Sequence, residues 1–258
     1  MSLIWKRYVS RAEYLRDGHK IIVIPISKGH QFIYYHHQQE HLDTSKLIVK
    51  ADQWVISKSV GLWRRLADSN RSINVKIVNW VEKLLNQLPW QEESFKSVPV
   101  EEHIIKEPGY QYVLYMLDKD KDVNVGVKDR VNEIKKMCED GVNYHRRHAI
   151  YCAVGLPLTL PMALLPVVPN VPGFYLLYRI YANYKAYHGA LHLMNILKDE
   201  KRYRIERIDD APKGIIPATD GESETNGIDQ LVEFLEIPSL KHPLQKAITQ
   251  ELDRPKGE

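Results

Sequence analysis

Between Ala149 and Tyr178 the chain runs AIYCAVGLPLTLPMALLPVVPNVPGFYLLY without one charged residue, although 27% of the sequence is Asp, Glu, Lys or Arg. A bilayer core of about 30 Å needs roughly 20 apolar residues in a helix, so the run is long enough for one crossing. Pro157, Pro161, Pro166, Pro169 and Pro172 all fall inside it. Each removes a backbone donor and crowds the preceding turn, which disfavours one straight helix and favours a bent or re-entrant pair of arms. The cluster from Pro166 through Asn170 to Gly173 reads as the turn, and Pro172 is placed to open a second helix through Phe174, Leu177, Tyr181, Tyr184, His188 and Leu191 to Leu197. A proline-rich helical hairpin is the central expectation. A buried hairpin in a soluble fold and a hairpin that enters a membrane both remain open.

Positive charge flanks the run. Arg146 and Arg147 precede it, and Lys198, Lys201 and Arg202 follow the second arm. Such residues stay on the side from which a segment inserts and attract anionic headgroups, so Arg146, Arg147, Lys201 and Arg202 are the candidate lipid-binding residues. If the hairpin enters a bilayer, its prolines would leave carbonyls such as those of Ala153 and Pro157 without helical donors, groups suited to dehydrated potassium. Arg179, His188 and His192 would then lie near the boundary, where imidazole can change charge near neutral pH. One hairpin encloses no ion path.

The rest of the chain predicts an α+β fold, mostly helical, with a small amino-terminal β-hairpin or antiparallel sheet, a helical body and the central hairpin. The expected organisation is an extension or weak presequence over 1–19, an α+β domain over 20–125, a helical region over 126–208, a linker over 209–227 and carboxy-terminal helices and tail over 228–258. Lys20 to Ile26 and Gln31 to His36 are β-rich runs around a turn with Gly29, and Pro25 places the first strand near an edge or its end. Helical spacing appears from Asp52 to Leu66, from Ile73 to Leu88, and from Val127 to Tyr144. Trp90 to Pro108 reads as a polar connection with short helical or extended pieces. Tyr110 to Leu117 has strand composition but could open a helix. Ile228 to Ile237 and Leu244 to Leu252 give two short amphipathic helices.

Chemistry-bearing constellations are sparse. His188 and His192 share a helix face, but Gly189 stands where a zinc protease motif needs Glu, and no third ligand is evident. His36, His37 and His41 lack a supporting carboxylate. The two cysteines, Cys138 and Cys152, form no metal framework. Phosphate-loop, nucleophile-elbow and dinucleotide fingerprints are missing, so no enzyme, cofactor or metal is expected. The net charge of +3 gives no reason to invoke nucleic acid.

Ile24-Pro25-Ile-Ser, Phe32-Ile-Tyr-Tyr, Trp90-Gln-Glu-Glu-Ser-Phe-Lys-Ser-Val-Pro99, Leu156-Pro157 through Leu160-Pro161, Val168-Pro169-Asn170-Val-Pro172-Gly-Phe-Tyr175 and Tyr178-Arg179 together make the sequence resemble the fungal and plant mitochondrial potassium/proton exchange-related family. The resemblance runs from Lys20 to Gln250. It implies a component or regulator of potassium/proton exchange at the mitochondrial inner membrane, controlling matrix potassium, pH and volume, with most of its mass on the matrix side. The implied partners are inner-membrane lipid such as cardiolipin, and exchange-complex subunits including leucine-zipper, EF-hand-containing transmembrane proteins; potassium and protons are the ions concerned. The alternative is a non-transporting peripheral scaffold or lipid-binding protein. The candidate hairpin or exchange residues are Pro157, Pro161, Pro169, Asn170, Pro172, Gly173, Tyr175, Arg179, His188 and His192.

Overall fold

A computed structural model describes residues 6–27, 29–37, 57, 61, 64, 68, 72–101, 111–117, 127–163, 171–208, 212 and 224–254. Five strands form one mixed sheet in the order β1-β5-β4-β2-β3. They are β1 (Lys6–Val9), β2 (His19–Ser27), β3 (His30–His37), β4 (Tyr112–Met116) and β5 (Tyr203–Ile208). β2 and β3 make the expected antiparallel hairpin, while β1, β5, β4 and β2 run parallel to one another. Pro25 lies where the hairpin register slips, beyond the last β2–β4 pair, Val23 with Met116. A proline is tolerated there because its missing N–H interrupts no central ladder.

Parallel strands covered on both faces need apolar residues at every position, and Ile21-Ile-Val-Ile24 and Tyr112-Val-Leu-Tyr-Met116 meet that need. Successive side chains point to opposite faces. Ile21, Val23, Leu114, Met116 and Ile205 pack on one side with α3 (Trp90–Ser97), α4 (Val127–Gly155) and α6 (Val171–Lys198). Ile22, Ile24, Val113, Tyr115 and Ile208 pack on the other with α1 (Arg11–Arg16), α7 (Glu224–Leu235) and α8 (Lys241–Leu252). The result is α+β and mostly helical, with helices on both faces of the sheet. α2 (Ser72–Asn86) precedes α3, and a turn of 3-10 helix (Leu156–Thr159) with α5 (Leu160–Ala163) follows α4.

The sheet is larger than the amino-terminal hairpin the sequence suggests. Tyr110 to Leu117 resolves in favour of a strand, and the opening stretch supplies β1 and α1. β5 lies within a region that reads as helical. Its Arg204, Glu206 and Arg207 obscure the strand pattern, yet Glu206 and Arg207 are buried, with Glu206 accepting from Arg204 Nε at 2.8 Å. The expected helix from Asp52 to Leu66 lies almost wholly outside the described residues, as does His41. Of the expected linker 209–227, only Pro212 and the start of α7 are described.

The segment Trp90-Gln-Glu-Glu-Ser-Phe-Lys-Ser is the wedge that fixes the long helices to the sheet. Ser94 Oγ accepts from Ile33 N–H at 3.4 Å and Ser97 Oγ accepts from Tyr35 N–H at 3.0 Å, so α3 closes the outer edge of β3. On its other side α3 presses against α4 and α6 where each carries glycine. A Cβ at Gly141 would lie 2.3 Å from Phe95 Cε2, and one at Gly189 would lie 2.0 Å from the Phe95 carbonyl oxygen. Gly189, conspicuous beside the histidines, is therefore a contact point for backbone.

Gly189→Ala should lower the unfolding free energy by about 2–3 kcal/mol through overpacking against an immobile carbonyl. Gly155→Ala meets only Leu176 Cδ1 at 3.5 Å, so it should be neutral or stabilising by up to about 1 kcal/mol from helix propensity. Urea unfolding midpoints of the two variants check the contrast.

Candidate functional site: the neck and tip of the helical hairpin

α4 and α6, 29 and 28 residues long, are each about 40 Å in length. Only part of each lies on the sheet. α4 packs there through Val127, Val131, Ile134 and Cys138, and α6 through Ala186, Ala190, Leu193, Ile196 and Leu197. The end of α4 and the beginning of α6 extend past these contacts as the expected hairpin.

At the neck, α3, α4 and α6 share a buried polar cluster. Arg179 Nη1 donates to both Glu92 carboxylate oxygens, at 2.7 and 2.8 Å, with the Glu92 side chain 1% exposed. Lys96 stands 3.7 Å from the same carboxylate and 2.7 Å from Glu93. Burial alone would weaken the hold of Arg179 on its proton; Glu92 outweighs it and the net direction is upward. One turn further along α6, Asn183 Nδ2 donates to the Arg179 carbonyl at 2.7 Å. That fixes the amide, so Asn183 Oδ1 faces His145 Nδ1 at 2.9 Å and accepts its proton. His145 is buried against the Phe95 ring, and burial first of all pushes its pKa below the usual imidazole value, with Arg179 and His148 acting in the same direction and Asn183 and Glu92 against it. A neutral imidazole is the form that fits this neck.

The predicted histidine pair divides its roles. His192 Nδ1 faces the Pro99 carbonyl at 2.7 Å, which can only accept, so Nδ1 carries the proton and Nε2 accepts from the Tyr112 hydroxyl at 3.0 Å. His192 thus ties α6 to β4 beneath the neck. Half-buried His188 sits among Tyr184 and Tyr187, with ring centroids 4.4 and 5.0 Å away. Among the described residues no group of three or more His, Cys, Asp or Glu is placed to hold a metal. Arg179 belongs to the internal neck, not to an outer boundary.

The tip beyond the neck is apolar and exposed. Leu158 is 81% exposed, and Ile150, Tyr151, Val154, Leu160, Phe174 and Leu177 are more than half or about half exposed. Pro157 and Pro161 are exposed there, Tyr175 and Pro172 are half-buried, and Gly173 is buried; Pro169 and Asn170 lie outside the described residues. The Pro157 carbonyl accepts from the Leu160 N–H, so it is not left without a donor. Behind the tip on α4 stand exposed Arg146 and Arg147, with Tyr144 stacked on His148 at 3.9 Å.

Lys201 and Arg202 do not join that basic pair. His145 and Asn183 set Arg146 level with the middle of α6, and the 15 residues from Asn183 to Lys198 put the far end at least about 20 Å away. Arg202 is engaged with Glu101 at 2.5 Å and the Asn195 carbonyl at 3.2 Å. The four basic residues form two separate groups because the second arm of the hairpin, 28 residues long, continues well past its charge-free part, which ends at Tyr178. Among the described residues no helix is long and apolar enough to cross a membrane.

Sequence reasoning missed Glu92, Asn183 and His145 as a unit. The one available signal was that Glu92 and Arg179 both lie within segments that carry the family resemblance; their contact spans 87 residues. Removing one partner of a buried pair strands the other charge. Glu92→Gln should therefore cost about 3–5 kcal/mol, whereas Glu92→Leu combined with Arg179→Met should cost less than the single change. Chemical denaturation of the two variants tests whether charge compensation or mere packing holds the neck.

A family model described as mitochondrial K+-H+ exchange-related matches residues 20–197. An uncharacterized protein of Saccharomyces cerevisiae is 34% identical over 94% of this chain and 87% of its own length. An uncharacterized protein of Schizosaccharomyces pombe is 26% identical over 70% of this chain and 76% of its own length. No solved structure matches. The match takes in the wedge, the neck and the whole hairpin, and the chain belongs to the mitochondrial K+-H+ exchange-related family.

Proposed function

We propose that this protein is an accessory component of potassium/proton exchange at the mitochondrial inner membrane, attached by the hairpin tip to one leaflet and conducting no ions itself. The observation that carries the reading is the exposed, charge-free tip with Arg146 and Arg147 immediately behind it. Proteins seldom leave an apolar surface of this kind uncovered unless it meets a membrane or a partner. Apolar tip, aromatic residues and then arginine is also the order in which hydrocarbon, interface and anionic headgroups follow one another across a leaflet. Family membership supports the link to exchange.

A peripheral scaffold that binds lipid without affecting exchange is the second reading, favoured by the same tip and by the lack of an ion path within one hairpin. Under the first reading, a membrane subunit of the exchange complex, of the leucine-zipper, EF-hand-containing class, provides the path, and the neck sets the angle at which the tip enters.

Mitochondria lacking the protein should swell slowly in potassium acetate, and the wild-type chain should restore the rate. The variant carrying Val154→Glu and Leu158→Glu, both at exposed positions, should reach equal abundance without restoring swelling. Full restoration by this variant would refute membrane entry as the basis of function, and normal swelling without any chain would leave the scaffold reading.

A further inference from the structure

Beside the hairpin, α2 carries a face that neither the fold nor the neck uses. Lys76, Trp80 and Lys83 stand at i, i+4 and i+7 along one side of the helix, and all three are exposed. Trp80 is 48% exposed, yet it is not remote from other elements: its indole lies beside Tyr175 of α6, with ring centroids 6.4 Å apart. Tyr175 adjoins Leu176, whose Cδ1 lies 3.5 Å from where a Cβ on Gly155 at the end of α4 would stand, so the indole is level with the apolar tip. Arg146 and Arg147 lie two turns or more behind that level.

An exposed indole between two lysines, beside an apolar tip, has the chemistry of an interfacial anchor. Tryptophan favours the headgroup level because its body is apolar and its N–H is polar, while lysine stems lie along apolar surface and carry the ammonium to phosphate. We propose that α2 is a second membrane-contact element, placing Trp80 in the same leaflet as the tip with Lys76 and Lys83 on anionic lipid headgroups. The inference rests on the reading that the tip enters a bilayer. With two contacts on separate elements, rotation about the hairpin axis is restricted and the sheet takes one orientation over the membrane.

The test uses the full chain and vesicles of phosphatidylcholine with cardiolipin, with brominated phosphatidylcholine as a quencher of tryptophan emission. Bound wild-type protein should be quenched, and Trp80→Phe should abolish most of that quenching while keeping the wild-type melting temperature. Lys76→Gln with Lys83→Gln should weaken binding about tenfold or more at low salt, a difference that shrinks at high salt. Undiminished quenching in Trp80→Phe, or unchanged binding of the double lysine variant, overturns the proposal. Leu158→Glu separates the two readings. Loss of its binding together with undiminished quenching in Trp80→Phe refutes the role of α2 alone, whereas wild-type binding by Leu158→Glu removes the tip reading and this proposal with it.

Discussion

The Glu92–Arg179 pair joins a short helix that closes the sheet edge to a long helix that leaves the sheet. Two full charges in this setting lose hydration that their attraction only partly returns, so the pair contributes little net stability if well-packed apolar groups are the alternative. What it supplies is position. Arg179 cannot slide along α3 without losing both of its contacts to Glu92, which would leave that buried carboxylate with only the longer 3.7 Å approach of Lys96, and Asn183 and His145 carry the same constraint to α4. The glycines at 141 and 189 make it possible, because a methyl group at either place would collide with Phe95 and move α3 out of reach.

From that constraint follows a hairpin held at its base and uncovered at its end. The buried neck orders both helices before any partner arrives, so little conformational entropy remains to be lost when the tip is covered. The chain can thus present apolar residues on a rigid lever instead of a disordered segment. Burial pushes the His145 pKa below the usual imidazole value, so the hydrogen bond to Asn183 is made by a neutral ring and His145 adds no charge to the Glu92–Arg179 pair.

Much of this was legible in the residues. The charge-free run and its prolines announced the hairpin, Pro172 marked the second arm to within one residue, and the β-rich runs on either side of Gly29 marked β2 and β3. The remaining strands were hidden for different reasons. β1 lies in a basic amphipathic opening that equally suits a targeting segment, and β5 contains three charged residues, two of which, Glu206 and Arg207, are buried only through their neighbours in the sheet. Arg146 and Arg147 stand exposed behind the tip, where their place in the sequence puts them. Lys201 and Arg202 lie far from them, because nearness to the apolar run in sequence is not nearness in space when the second helix continues well past the run. The neck was beyond sequence reasoning for a simpler reason. Glu92 looks like any acidic residue in a polar helix until Arg179 is brought to it from 87 residues away.

The central claim is that a preformed hairpin enters one leaflet tip first, and depth measurement tests it most directly. Nitroxide labels placed singly at positions 158, 151 and 146 of vesicle-bound protein should show collision with oxygen rising, and collision with a polar nickel reagent falling, from 146 through 151 to 158. Equal access of the polar reagent to 158 and 146, with the protein fully bound, would contradict the account.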